Sequence, residues 1–459
     1  MFDMLALRLQ KHRKSYQSQI QMKRFLLLAL SAVLLSNVAF AQHYKTGNDR
    51  FSLKVQPFVG GYLSPNGNLE TIDPSAPAGV NFGFELPSNQ QRPWQQYLNN
   101  STLGVGVSYV DFGDKVMGKA VSVYPYILIN CLRTKHFELG IKLASGLAYC
   151  SETYWTNERE GENPDYTGKP DVSNRDNPKA HYTFGSHLNA YLCGGVNLNF
   201  PLTRNLALNG EIGFFHMSNG RIMESNMGAN ILYGGVGLIA TINPEEEEKE
   251  PVHFPDQPYR WSLNVTLSAG SQSADLTDGR NFFINTFHVG AVYNVCNWYG
   301  IGLGADVFFN DAIGKETNRG LFRTDVDYKQ SDKVRAGVSI NNELQFGRVT
   351  AMVDWGVYLY NPARNYYNHN HPIYGYGKRP LFYKMHSAGS DEAWHYIRFG
   401  VKCRVWDNLY VQALAKTHMH IAELIEFGVG YNIPFVSKSK RRDSKDVVFH
   451  NREGWWNNY

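Results

Sequence analysis

Apolar and polar residues take turns along most of this chain. From Phe137 to Tyr149, Phe137, Leu139, Ile141, Leu143 and Leu147 fall on one side, with Glu138, Gly140, Lys142 and Gly146 on the other. From Arg348 to Tyr360, Val349, Ala351, Val353, Trp355, Val357 and Leu359 oppose Thr350, Asp354 and Gly356. A period of two sends successive side chains to opposite faces of an extended strand, whereas a helix would group them at every third or fourth position. A continuous apolar face backed by charge suits a wall with lipid outside and a polar interior.

The pattern predicts strands at 51–63, 80–86, 101–112, 119–132, 136–148, 184–199, 205–217 and 230–243, then at 259–271, 284–296, 299–309, 333–346, 348–361, 394–405, 408–417 and 421–433. Short connections (Arg133-Thr134-Lys135, Pro201 to Arg204, Phe346-Gly347, Trp406-Asp407-Asn408) interleave with long polar ones (149–182, 218–229, 310–332, 362–393). Short periplasmic turns and long outer loops are the signature of outer-membrane barrels. The expected fold is all-β, a transmembrane antiparallel up-and-down barrel of about 16 strands, or 14 if the short stretch 80–86 is discounted. A single wide barrel is the expectation, with two fused eight-stranded barrels as the alternative. The reasons are that the segment joining the halves is short and that neither half displays its own closing pair.

Met22-Lys23-Arg24, the apolar run Phe25 to Leu35 and the small-residue site Ala39-Phe40-Ala41 read as a secretory signal, so residues 1–41 are expected to be a signal peptide with an upstream extension. No later segment has the roughly 20 continuous apolar residues of a membrane helix, so any span must be built of strands. The remaining divisions are 42–243 as the first half, 244–258 as an acidic linker or periplasmic turn around PEEEEKEP, 259–435 as the second half and 436–459 as a tail. The halves echo each other: GEIGFFHMSN followed by NILYGGVGL ends the first, VQALAKTHMH followed by ELIEFGVGY ends the second.

Composition adds little that contradicts this. The mean hydropathy of −0.38 is low, but only alternate residues of a barrel strand meet lipid. A formal charge of +4 over 459 residues gives no reason to expect a nucleic-acid partner. Five cysteines, an odd count without CxxC or metal-ligand spacing, read as isolated thiols in strands, with a disulfide between two of them as the alternative.

The candidate chemistry lies in Asn205 to Asn219. Counting by two from Leu206 through Leu208, Gly210, Ile212 and Phe214 brings His216 and Ser218 onto the apolar face, while Asn209, Glu211 and Gly213 take the other. A base and a hydroxyl therefore stand together at the rim of a lipid-contacting surface. The next strand carries Asn230 on its apolar face (Asn230, Leu232, Gly234, Val236, Leu238), and antiparallel pairing would bring that amide toward His216. A nucleophile, a base and a group orienting the base are what serine esterase chemistry requires.

These residues resemble the outer-membrane lipid A 3-O-deacylases, an acyloxyacyl hydrolase-like family. Its pattern is His-x-Ser-Asn, a short loop, Asn-x-Gly, an apolar residue and Glu. This chain has His216-Met217-Ser218-Asn219, then Asn226-Met227-Gly228-Ala229 and Asn230, a likeness centred on residues 212–238. The resemblance implies a serine nucleophile at Ser218, a histidine base at His216 and oxyanion or substrate contacts at Asn219, Asn226 and Gly228. The family's orienting glutamate is replaced by Asn230, and Glu224 lies off the pattern. No cofactor or metal is implied. The expected partner is a lipid, lipid A or a related glycolipid of the outer membrane; the sequence is silent on oligomeric state.

Other residues have plainer readings. His369 and His371 belong to an Asn/Tyr-rich loop with no third metal ligand nearby. His418 and His420 would point inward beside Lys416 and Gln412, and Glu138, Lys142, Glu211 and Asp354 are inward by alternation, as expected of a polar lumen. Lys438 to Arg442 and Trp455-Trp456 follow the last strand. The leading expectation is an outer-membrane serine esterase acting on lipid A or a similar glycolipid; the rival is a non-catalytic barrel, either a porin or a structural protein. A secreted β-sandwich is the distant third.

Overall fold

The computed structural model describes residues 50–63, 75–87, 98–153, 183–223, 226, 228–244, 259–273, 281–313, 328–362, 394–418 and 421–435. The expected signal peptide at 1–41, most of the expected acidic linker, the expected tail at 436–459, the 369–371 histidines, His420 and Glu224 lie outside these residues.

Sixteen strands form among the described residues. The first eight are β1 (Phe51–Tyr62), β2 (Ala78–Leu86), β3 (Thr102–Asp111), β4 (Lys119–Arg133), β5 (Glu138–Cys150), β6 (Leu188–Pro201), β7 (Leu206–Ser218) and β8 (Ala229–Ile242). The second eight are β9 (Trp261–Ser273), β10 (Asn281–Cys296), β11 (Tyr299–Asn310), β12 (Val334–Phe346), β13 (Val349–Tyr360), β14 (His395–Trp406), β15 (Leu409–His418) and β16 (Ile421–Phe435). The short stretch at 80–86 is a full strand, β2. Two-residue hairpin turns, Asn297-Trp298, Gly347-Arg348 and Asp407-Asn408, close one end of the second set.

The expectation of one wide barrel is corrected in favour of the stated alternative. Each set of eight closes on itself, β1 pairing with β8 and β16 with β9. The reason is the long-range register: Phe51 to Tyr62 finds its antiparallel partner in Ile231 to Ile242, which leaves no open edge to pair with β9. Closure removes the unpaired amide and carbonyl groups that hydrocarbon cannot satisfy.

Outside, the barrels are sheathed in Leu, Val, Ile and aromatic residues such as Ile212, Val236, Leu267, Leu303 and Leu359. Inside, the charges pair. Glu211 accepts from Lys54 and Lys142, each at 2.8 Å, and from Asn197 at 2.9 Å. In the second barrel Arg398 meets Asp306 at 2.6 Å and Glu426 at 2.8 Å, Lys402 meets Glu343 at 2.6 Å and Lys416 meets Glu423 at 2.7 Å. Burying an ion costs several kcal/mol unless paired, so these pairs are what allows charge inside the wall. Aromatic rings fill the remaining volume: Tyr233 lies across inward-facing Gly213, where a Cβ would come 2.6 Å from the phenol oxygen. Eight strands enclose a space that side chains can fill, and here both lumens hold packed, buried side chains. All five cysteines are free thiols.

Among the described residues the barrels touch at two places. Leu98, Leu103, Ile127 and Ile129 of the first pack with Trp298, Leu344, Phe346 and Ala351 of the second. At the opposite end, the Ser273 amide donates to the Arg221 carbonyl at 2.9 Å, and Gly220 lies against Ile425. Barrel strands incline by roughly 35–45°, which brings the far ends of β3–β4 and β7–β8 round to the same side.

Candidate active site on the outer wall

The site is built by the last turn of the pleat in β7 and the first in β8. Ile212 and Phe214 precede His216 and Ser218 on the same face of β7 and are 68% and 36% exposed, so that face is the outside of the barrel. Its inward neighbours Glu211, Phe215 and Met217 are buried. The β7–β8 register sets His216 directly opposite Asn230, and the β6–β7 register sets Ser218 opposite Ala190 and His216 opposite Leu192.

From this register the side chains meet in a line. His216 Nε2 lies 2.8 Å from Ser218 Oγ, and His216 Nδ1 lies 2.7 Å from Asn230 Oδ1. An amide oxygen can only accept, so with Asn230 in this orientation the proton sits on Nδ1. The Nε2 lone pair is left facing the hydroxyl. Gly228 makes the fit possible. It has φ +73°, and a Cβ there would stand 2.8 Å from His216 Cε1.

The loop residues separate by what their polar groups already do. The Asn219 amide side chain donates to Ser186 Oγ at 3.1 Å and to Met223 O at 2.9 Å, so its donors are engaged within the loop. The Gly228 amide is bonded to Thr183 O at 2.9 Å. Asn226 accepts the Asn219 backbone amide on Oδ1 at 2.8 Å. Among the described residues its Nδ2 has no protein partner. The structure thus brings His216, Ser218 and Asn230 into one chain, with Gly228 against the imidazole and Asn226 bonded to Asn219 beside them. Ser186 and Thr183, which brace this loop, carried no sequence signal: Ser186 lies 33 residues before Asn219 and meets it through the β6–β7 pairing that sets Ala190 opposite Ser218.

Among the described residues the second barrel has no such couple on its outer face. Its seventh strand, β15, presents Val411, Ala413, Ala415 and Thr417 outward, while His418 is inward and 2% exposed. His418 accepts from or donates to Tyr358 Oη at 3.0 Å and lies 3.5 Å from Glu423, a residue set inward at a register shift between β15 and β16.

A closed antiparallel barrel with an apolar exterior and charge-paired interior is a bacterial outer-membrane protein. Its comparison with known families goes a step further: residues 261–376 and 381–435 match the family model described as acyloxyacyl hydrolase, C-terminal domain. Over these residues the chain is similar to the acyloxyacyl hydrolase family, and the match falls on the second barrel, whereas the His-x-Ser-Asn motif lies in the first. No curated protein matches the sequence. Among solved structures, the outer membrane enzyme PagL is 16% identical with a TM-score of 0.24, over 41% of this chain and 98% of that one. Neisserial surface protein A is 9% identical with a TM-score of 0.24, over 42% and 96%. The FrpB iron transporter from Neisseria meningitidis is 10% identical with a TM-score of 0.21, over 84% and 70%. Identities this low do not bear on activity.

Proposed function

We propose that the protein is a serine esterase of the outer membrane that removes an acyl chain from lipid A or a related glycolipid. The observation that carries this reading is the Asn230–His216–Ser218 line on the lipid-facing wall. A hydrophilic substrate would gain nothing from a nucleophile placed there, whereas the ester of a membrane lipid lies at that boundary.

Ser218 Oγ attacks the ester carbonyl as His216 Nε2 takes its proton. The tetrahedral oxyanion is held by Asn226 Nδ2, which the bond from the Asn219 amide to Oδ1 orients. The imidazolium then returns its proton to the departing sugar oxygen, leaving the acyl group on Ser218. Water, deprotonated by His216, attacks this acyl ester, and collapse of the second intermediate releases the fatty acid and restores the hydroxyl. Asn230 holds the productive tautomer throughout but supplies no charge to the imidazolium.

That last feature favours the second reading, a barrel with little or no catalysis, since the family's acid is absent. The two are separated by expressing wild type and Ser218→Ala and comparing lipid A by mass spectrometry. Loss of an acyl chain in the wild type and its retention in a folded Ser218→Ala barrel supports the esterase. Identical profiles would favour the non-catalytic barrel.

A further inference from the structure

On the outer wall of the first barrel, polar side chains continue past β7 along the rim. Tyr149 shares the outward face of β5 with Ile141 and Leu143 and is 57% exposed. Its ring stacks on that of His187, with centroids 5.4 Å apart and planes 13° from parallel. His187 is itself exposed, yet two bonds fix it to β5. Its Nδ1 donates to the Cys150 carbonyl at 2.8 Å, and its own carbonyl accepts the Cys150 amide at 2.7 Å. A carbonyl can only accept, so the ring proton sits on Nδ1 and Nε2 is left as an acceptor.

The pair is tied to the reactive couple through the backbone. Leu188 lies opposite Tyr149 and Ala190 opposite Ser218, so only β6 stands between the strand of the tyrosine and that of the nucleophile. Ser186, next to His187, accepts from Asn219, next to Ser218, at 3.1 Å and donates to the Leu188 carbonyl at 2.8 Å. A strand spacing of about 4.8 Å and a rise of about 3.4 Å per residue put the histidine about 10 Å from Ser218. Rings at the membrane boundary are ordinary in outer-membrane barrels, and a second pair, Phe137 with Phe200, stands at the other end of the same strands. That pair is hydrocarbon throughout and its planes are tilted by 46°. The outer pair is nearly parallel, carries hydrogen-bonding edges and is braced against the loop that follows Ser218.

We propose that Tyr149 and His187 form a headgroup subsite, a platform on which a sugar ring of the glycolipid lies while its ester reaches Ser218. This rests on the esterase reading of Ser218. A sugar ring has an apolar face of C–H groups and an edge of hydroxyls, which matches a flat ring with a polar edge better than an acyl chain or a bare phosphate does. Tyr149 offers the ring face and a phenol, and His187 Nε2 offers an acceptor. The acyl part keeps to the apolar wall of β7 at Phe214 and Ile212, which are exposed to the membrane. Each half of an amphipathic substrate then meets the surface that suits it.

The test measures kcat and KM on purified lipid A and on p-nitrophenyl butyrate, an ester without a sugar, for full-length protein refolded in detergent. Tyr149→Ala is expected to raise KM for lipid A by about 3- to 10-fold at nearly constant kcat, the size of one lost ring-face contact, and to leave butyrate turnover unchanged. Tyr149→Phe keeps the ring and is expected to behave as wild type. Phe200→Ala removes a ring from the periplasmic boundary of the same strands and is expected to leave both esters unaffected. Heat-modifiable gel mobility reports folding, and if Tyr149→Ala does not fold, His187→Ala decides by the same criteria. An unchanged KM for lipid A in the folded alanine variant, an equal loss on both esters, or an equal rise in Phe200→Ala would overturn the subsite and leave the esterase standing. Wild-type protein with no Ser218-dependent turnover on either ester would overturn both.

Discussion

Replacing Asn230 by Asp keeps the shape of the side chain and its oxygen 2.7 Å from His216 Nδ1, and adds one negative charge. In the resting state the imidazole is neutral and the change does little. In the transition state the ring carries a proton on each nitrogen, and the bond becomes charge-assisted. A neutral hydrogen bond contributes about 1 kcal/mol and one to a charged group about 1.5–3 kcal/mol. The surplus of about 0.5–2 kcal/mol is available only while the imidazolium exists, so it lowers the barrier. At about 1.4 kcal/mol per tenfold, kcat should rise roughly 2- to 30-fold. Coulomb's law at about 3 Å and an effective dielectric of about 20 gives about 5 kcal/mol as an upper bound, from which desolvation of the new carboxylate at this partly buried position is subtracted. The assay is fatty acid release from lipid A in mixed micelles at saturating substrate, with heat-modifiable mobility confirming a closed barrel. A folded Asn230→Asp protein no faster than wild type would refute the claim that Asn230 acts on the reacting imidazole.

Two further substitutions probe the rest of the site. Asn226→Ala removes the donor assigned to the oxyanion and should lower kcat by about 10²- to 10³-fold with KM nearly constant; a comparable rise in KM at unchanged kcat would assign Asn226 to binding instead. Gly228→Ala forces a side chain into φ +73°, at a cost of about 1–2 kcal/mol, and against His216 Cε1. Displacing the ring by about 1 Å should cost about 10²-fold in rate, and full activity in this variant would show that the loop does not fix the imidazole.

Much of this architecture could be read locally. Alternation located every strand because one face of each must meet hydrocarbon, and it also put His216 and Ser218 outside and Lys142, Glu211 and Asp354 inside. What alternation cannot carry is closure. Whether β8 returns to β1 or pairs onward with β9 depends on contacts between Phe51 and Ile242, residues whose local sequences look like those of any other strand. The echo between the halves was the clue to two barrels, since the repeated segments occupy the seventh and eighth strands of each. Yet it misleads about chemistry: His216 and His418 follow similar residues but sit on opposite faces, because the two His-Met pairs differ by one position relative to the inward-facing Glu211 and Gln412. A single step in a period of two exchanges lipid for lumen. The contact of Gly220 with Ile425 was illegible for a different reason, as the two residues belong to different barrels.

The central claim is that an activated serine faces the lipid at the outer end of β7. Treating outer membranes that carry the protein with a long-chain alkyl fluorophosphonate and mapping adducts by tandem mass spectrometry tests it most directly. The account expects a phosphonylated Ser218 whose formation is lost in His216→Ala. Absence of an adduct on Ser218 in the wild type, or an equal yield without His216, would contradict it.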